Sequence, residues 1–132
     1  MHPRIELFAR LLLSSVFLGS GLSKLASFGG TQEFMQSVGM PATGLLLWGA
    51  IAFELLGSLS VLFGFKARIG AALLLIFLIP ATLIFHFELG VQEQMIQVMK
   101  NAAIGGGLLL VATYGPGPIS IDAGRKTRES AA

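Results

Sequence analysis

The sequence predicts an all-α integral membrane protein: a four-helix antiparallel bundle, N-in/C-in, with a short interfacial helix between the first two spans. Three observations carry this. Of 132 residues, 54% are hydrophobic and 12% charged, where soluble domains run near a quarter charged. With a mean hydropathy of +0.78, the chain lacks the polar surface to cover a soluble globule, and hydrocarbon is the solvent it suits. Four apolar runs are each long enough to cross a core of roughly 30 Å, and lysines and arginines gather beside one set of run ends.

The first run covers about 5–28. Its opening, "MHPRIELFARLLLSSVFLGSG", has the basic start and apolar stretch of a signal peptide. The stretch is long and no A-x-A-like cleavage site follows, so it reads as a retained span closed by "SFGGT". In "TQEFMQSVGMP", Thr31 is a candidate N-cap, Phe34, Met35 and Val38 fall at helical spacing, and Gly39 and Pro41 end the segment, which reads as the interfacial helix. The second run covers 42–65 and closes at "GFKAR". The third covers 69–87, with Pro80 removing the hydrogen bond to the Ile76 carbonyl and predicting a kink unless Thr82 or a neighbour compensates. After "ELGVQEQ" the fourth covers 94–114 and stops at "GPGP". Connections this short make successive helices antiparallel neighbours. Residues 1–119 thus form one transmembrane domain, and 120–132, "SIDAGRKTRESAA", a polar cytoplasmic tail expected to be solvated or disordered.

Orientation follows from the cations. With the N-terminus cytoplasmic, Arg4, Arg10, Lys66, Arg68, Arg125, Lys126 and Arg128 fall inside, and Lys24 and Lys100 toward the outside. The net charge of +2 therefore reflects membrane orientation; the basic residues sit in loops and at helix ends and form no stripe for nucleic acid. Absence of cysteine excludes disulfides, thiolate metal sites and CxxC chemistry from this chain. No GxGxxG, Walker loop, HExxH or GxSxG is present. His86 and Glu88, two positions apart on a helix, point apart, so no metal site is predicted, and two histidines do not support haem ligation.

What needs an account is the carboxylate in "IAFELLGSLS". An ionisable group in hydrocarbon costs roughly 2.5–3.5 kcal/mol on insertion scales, and Glu54 lies about 18 Å along its helix from Ala42. Lys24, His86, Lys100 and Asn101 all fall in the outer half of their spans, with Glu54 at the floor. Arg10 and Lys24 are only about 40° out of register at 100° per residue, with Phe17 and Gly21 on or near the same stripe. Lys100, Gly107 and Tyr114 share a stripe, and Thr82 and His86 are one turn apart. The expected arrangement is an outward-opening interior holding Lys24, Glu54, His86 and Lys100, with Asn101 beside it. Two structural readings compete: Lys24, His86 and Lys100 are near enough to an interface to snorkel, and a Glu–Lys pair can serve only to hold helix register. Gly57 and Ser58, Ala102 with Gly106, and Ala103 with Gly107 are small residues that let helix backbones approach.

With these residues in place, the sequence resembles the bacterial DoxX family of membrane proteins. The resemblance runs from about Arg10 to Asp122 and rests on "SGLSKLASFGGTQEFMQSVGMP", "FELLGS", "GFKARIGA", "PATLIFHF", "QMIQVMKNAAIGGGLLL" and "GPGPISID", in that order. It implies a four-helix protein of the bacterial cytoplasmic (inner) membrane, with polar positions at Lys24, Glu54, Arg68, His86, Lys100, Asn101 and Asp122. Many relatives have Gly-Gly after the glutamate; here the second is Ser58. Some relatives resemble subunits of quinone-linked sulfur oxidation complexes or belong with oxidative-stress systems, and more distant ones resemble chaperones or cargo receptors.

The leading functional expectation is a small or accessory subunit of membrane redox metabolism, at most part of a quinone-linked oxidoreductase, with no covalent cofactor. Its polar pocket would take a quinone or another small lipophilic ligand. Lys24, His86 and Lys100 would donate hydrogen bonds, Glu54 would carry the proton, Phe53 and Phe85 would form walls, and Asn101 is a further candidate for the ligand site. Nothing in the chain carries electrons, so a redox partner protein or diffusing oxidant is implied, beside the lipid bilayer and a homo-oligomer as partners. The alternatives are a non-enzymatic adaptor or assembly factor gripping other spans through the glycine-rich fourth helix, and a proton or small-solute conduit with Glu54 as its midpoint.

Overall fold

The computed structural model describes residues 2–85 and 90–132. Its helices are α1 (Pro3–Ala26), α2 (Phe28–Ser37), α3 (Thr43–Phe63), α4 (Ala67–Phe85), α5 (Gln92–Tyr114) and α6 (Ile121–Ala131). The four of these that are long and apolar enough to cross a membrane, α1, α3, α4 and α5, are the four predicted runs, with ends shifted by a residue or two where described. Pro3 opens α1, where a fixed φ and a missing N–H cost nothing. The helix α2 is the expected interfacial segment, but it begins at Phe28, and Thr31 lies inside its first turn with its hydroxyl donating to the Ser27 carbonyl at 3.0 Å. The expected N-cap is thus a back-bonding threonine. Gly39, at φ +81°, ends the helix as its spacing suggested. Across Pro80, α4 continues to Phe85. Thr82 donates to the Leu78 carbonyl at 2.7 Å, and not to Ile76.

Because lipid is as apolar as leucine, these helices gain little from burying hydrocarbon and associate through close packing. Each therefore shows a narrow buried stripe and a broad exposed apolar surface. On α3 the stripe is Leu47, Ile51, Glu54, Ser58 and Val61; on α1 it is Arg10, Ser14, Phe17 and Gly21. Small residues set the approach. A Cβ on Gly21 would come within 2.8 Å of Leu55, and one on Gly57 within 2.7 Å of Leu74, itself fully buried. α3 packs on both α1 and α4, and α5 on α4. α1 and α5 meet along a short stretch where Leu13 lies over Gly107. One core joins Phe17, Val61, Leu74, Leu78 and Leu108. A second, under α2, joins Met35, Leu47 and Ile51, with Phe28 stacked on Trp48 at 4.9 Å between ring centroids.

The terminal segment is solvated, one of the two expectations, and it is ordered. Instead of disordered chain it forms α6, exposed along its length but tied down at its start. The Ser120 hydroxyl accepts from the Ala123 N–H at 3.2 Å, which caps α6. The Asp122 carboxylate accepts from the backbone N–H groups of Lys66 (2.8 Å) and Ala67 (3.0 Å), and its own N–H donates to the Gly64 carbonyl at 2.9 Å. A helix start leaves N–H groups unpaired and partly positive, and a carboxylate satisfies both needs. Asp122 therefore caps α4 from the far end of the sequence. Gly64 closes α3 in the left-handed conformation (φ +68°), where a Cβ would also strike Ser120 and Arg10.

Candidate functional site

Glu54 sits on the packed face of α3, about 17 Å from its N-terminal end by helical rise, and is 3% exposed. Its Oε1 accepts two hydrogen bonds from α1: from the Ser20 hydroxyl at 2.8 Å and from Lys24 Nζ at 3.0 Å. Lys24 also donates to Ser20 Oγ at 2.6 Å. Ser20 thus stands between cation and anion, accepting from one and donating to the other. Local geometry makes this possible: side chains on a helix lean toward its N-terminus, so Lys24, in the last turn of α1, is aimed back over Ser20 and down to Glu54. A lysine this near an interface would ordinarily extend toward water. Here its side chain is 27% exposed and engaged inward.

The two carboxylate oxygens are unequal. Oε2 is buried and has no hydrogen-bond partner among the described residues. Lys24 carries three N–H donors, of which two are committed. The cluster therefore offers an acceptor and a donor within one ion pair, its carboxylate buried beside Gly21 where α1 packs on α3.

Of the residues singled out by sequence, Lys24 and Glu54 are brought together. Lys100 is exposed on α5 and takes no part in the pair, contrary to the expected shared interior. The stripe it shares with Gly107 does face α1 at Gly107, but α5 packs mainly on α4, with Gly105 against Leu75. Tyr114, on the same stripe, is exposed as well. Asn101 turns to α4, donating to Thr82 Oγ1 at 2.9 Å, and with it lines a groove of about 350 Å³ between α4 and α5. His86 lies outside the described residues. Phe53 is exposed and Phe85 packs on Phe34, so neither walls the ion pair. Among the described residues no group of three or more metal-ligating side chains assembles.

Sequence reading passed over Ser20, whose signal is its place one turn before Lys24 on the same face, and the role of Arg10. Arg10 is 2% exposed. Its Nη1 donates to the carbonyls of Val61 (3.1 Å) and Leu62 (3.3 Å) at the end of α3, and Nη2 to that of Ile119. It neutralises a helix C-terminus and fastens the final segment to it.

Comparison with known proteins places the sequence in a family. A family model described as DoxX matches residues 5–87. Inner membrane protein YqjF of Escherichia coli (strain K12) is 37% identical over 116 residues, 88% of this chain and 88% of that one. Inner membrane protein YphA of the same organism is 32% identical over 126 residues, 92% of this chain and 90% of the relative. "Putative oxidoreductase CatD" of Bacillus subtilis (strain 168) is 35% identical over 75 residues, 57% of this chain and 54% of that protein. No solved structure matches the chain.

Proposed function

The chain belongs to the DoxX family of multi-pass bacterial inner-membrane proteins, and on that premise we propose that it serves membrane redox metabolism by binding a quinone-type ligand at the Lys24–Ser20–Glu54 cluster. The observation that carries this reading is the inequality of the Glu54 oxygens: one takes two donors and the other, buried, takes none. A ligand that presents a carbonyl acceptor in one state and a hydroxyl donor in another complements the spare Lys24 proton and the bare Oε2. Such a ligand, when bound, supplies the two-electron chemistry. The chain's own part is to orient the ring by hydrogen bonds and to hold a proton on Glu54 at Oε2. The name of the Bacillus subtilis relative agrees with a redox setting.

The test is binding of a short-tailed ubiquinone to purified protein, followed by quenching of Trp48, the one tryptophan. Glu54→Gln keeps the shape, removes the charge and is expected to weaken binding roughly ten- to hundredfold, the worth of a hydrogen bond to a charged group, with helix content unchanged. Binding equally tight in Glu54→Leu would refute the proposal. A second reading, the adaptor, draws on the α4–α5 groove, where Gly106 faces open space; a stoichiometric membrane partner that co-purifies with Glu54→Gln and is lost with Gly106→Leu would favour it. The conduit reading gains nothing from Arg10, which is spent on carbonyls and presents no inner station to Glu54.

The cation distribution further supports both termini being cytoplasmic, with Glu54 reached from the outer side. A C-terminal green fluorescent protein fusion is then expected to fluoresce and an alkaline phosphatase fusion at the same site to be inactive. The reverse pattern inverts the assignment.

A further inference from the structure

The ends of α1, α3, α4 and α5 that carry Pro3, Phe63, Ala67 and Tyr114 lie together, as antiparallel succession requires. At this end α6, the start of α4 and the "GPGP" turn enclose a cleft of about 560 Å³, within the range of small-ligand sites. Four cations from separate segments line it: Lys66 from the α3–α4 turn, Arg68 from the first turn of α4, and Arg125 and Lys126 from α6. All four are exposed. Two carboxylates, Asp122 and Glu129, face the same cleft. Asp122, however, spends both oxygens on the N–H groups of Lys66 and Ala67. Among the described residues no carboxylate lies within ion-pair distance of any of the four cations; the ion pair is Lys24–Glu54. Their other engagements are weak: Arg68 reaches the Tyr114 carbonyl at 3.4 Å, and Lys66 and Arg125 flank the Phe65 ring at 5.8 and 5.6 Å.

Lys66 also occupies the left-handed region at φ +49°, which bulky residues seldom adopt. The turn thus carries a cation into the cleft where a glycine would sit with less strain. On the membrane side the cleft is bounded by exposed Ile69 and Tyr114, an apolar side chain and an interfacial aromatic of the kind that lies at headgroup level.

We propose that this cleft is a binding site for a phosphate-bearing anion, and specifically for the phosphodiester headgroup of an anionic phospholipid whose acyl chains leave along Ile69. Four unpaired cations against one uncommitted carboxylate supply the charge, guanidinium groups supply the geometry for phosphate oxygens, and the position at the span ends supplies the source. Basic clefts between transmembrane helices at this level suit anionic headgroups. This inference is independent of any ligand at Glu54, which lies mid-span in α3, nine residues before Phe63.

Thermal unfolding of the purified full chain in dodecyl maltoside, followed by circular dichroism, tests it. Dihexanoyl phosphatidylglycerol is expected to raise the midpoint in a saturable way, as any ligand selective for the native state does, while dihexanoyl phosphatidylcholine at the same concentration leaves it unmoved. Lys126→Gln is expected to weaken the apparent affinity roughly fivefold, and Lys66→Gly with Arg125→Gln and Lys126→Gln by roughly that factor per charge; glycine keeps the left-handed turn intact. The pair Arg4→Gln with Arg128→Gln, neither of which lines the cleft, should retain the full response. Inorganic phosphate matching phosphatidylglycerol would reassign the site to a free anion and overturn the lipid assignment. An equal response to phosphatidylcholine, or an equal loss in the Arg4–Arg128 control, would overturn the site altogether.

Discussion

Lys24→Met is expected to destabilise the protein by about 2–4 kcal/mol, toward the low side of what removal of one partner from a buried ion pair costs, because the Ser20 hydroxyl still donates to the Glu54 carboxylate. The single substitution leaves a carboxylate in the middle of a span with only the Ser20 hydroxyl as donor. Unfolding by sodium dodecyl sulfate titration in mixed micelles, followed by circular dichroism, reads the effect. The double variant Lys24→Met with Glu54→Leu is expected to regain most of the loss, since two apolar side chains of similar volume replace a desolvated pair at little cost. Lys100→Met serves as the contrast. Exposed and unengaged with Glu54, it is expected to fall within about 0.5 kcal/mol of the parent, as ordinary surface substitutions do. A Lys100 variant as damaging as the Lys24 variant would mean that the pair has a second cation.

Arg10→Met is expected to cost roughly 3–5 kcal/mol, from losing charge-assisted hydrogen bonds and leaving their acceptors buried. The acceptors are three carbonyls, two at the end of α3 and one just before α6. Their loss has a local signature beside the global one. With Ile119 released, α6 keeps the Asp122 contacts to the α3–α4 turn and the weak contact of Arg125 with Phe65, so trypsin should cleave at Arg125, Lys126 and Arg128 in Arg10→Met well before the parent. Adding Asp122→Ala should abolish the remaining protection. Unchanged cleavage in both variants would show that α6 is held by something other than this junction.

These outcomes bear on what the composition and spacing of the chain determined. Four spans, their short connections and the interfacial helix were legible because hydrocarbon imposes one dominant rule, that every backbone group be satisfied within a long apolar segment, and this rule writes itself into residue order. The buried stripe of α1 was legible too: Arg10, Phe17, Gly21 and Lys24 share a face at helical spacing, and that is the face α1 turns to α3. Glu54 announced its need for a partner through its depth alone.

Angular register states which way a residue points along its own helix, but not whether another helix stands there. Lys100 and Lys24 had equal claims on Glu54 by spacing, and the tertiary structure decided between them because α3 packs on α1 and α4, while α5 packs mainly on α4. The same holds at the opposite end. The tail reads as polar chain with no reason to order, yet Ser120, Asp122 and Arg10 order it through bonds that join positions 10, 64, 66, 67 and 119–123. Local forces, acting over a turn or two, were carried by the sequence. The successive spans are neighbours, as their short connections required; which faces they bring together depends on close approaches at Gly21, Gly57 and Gly107, and packing of that kind exists only once distant segments have met.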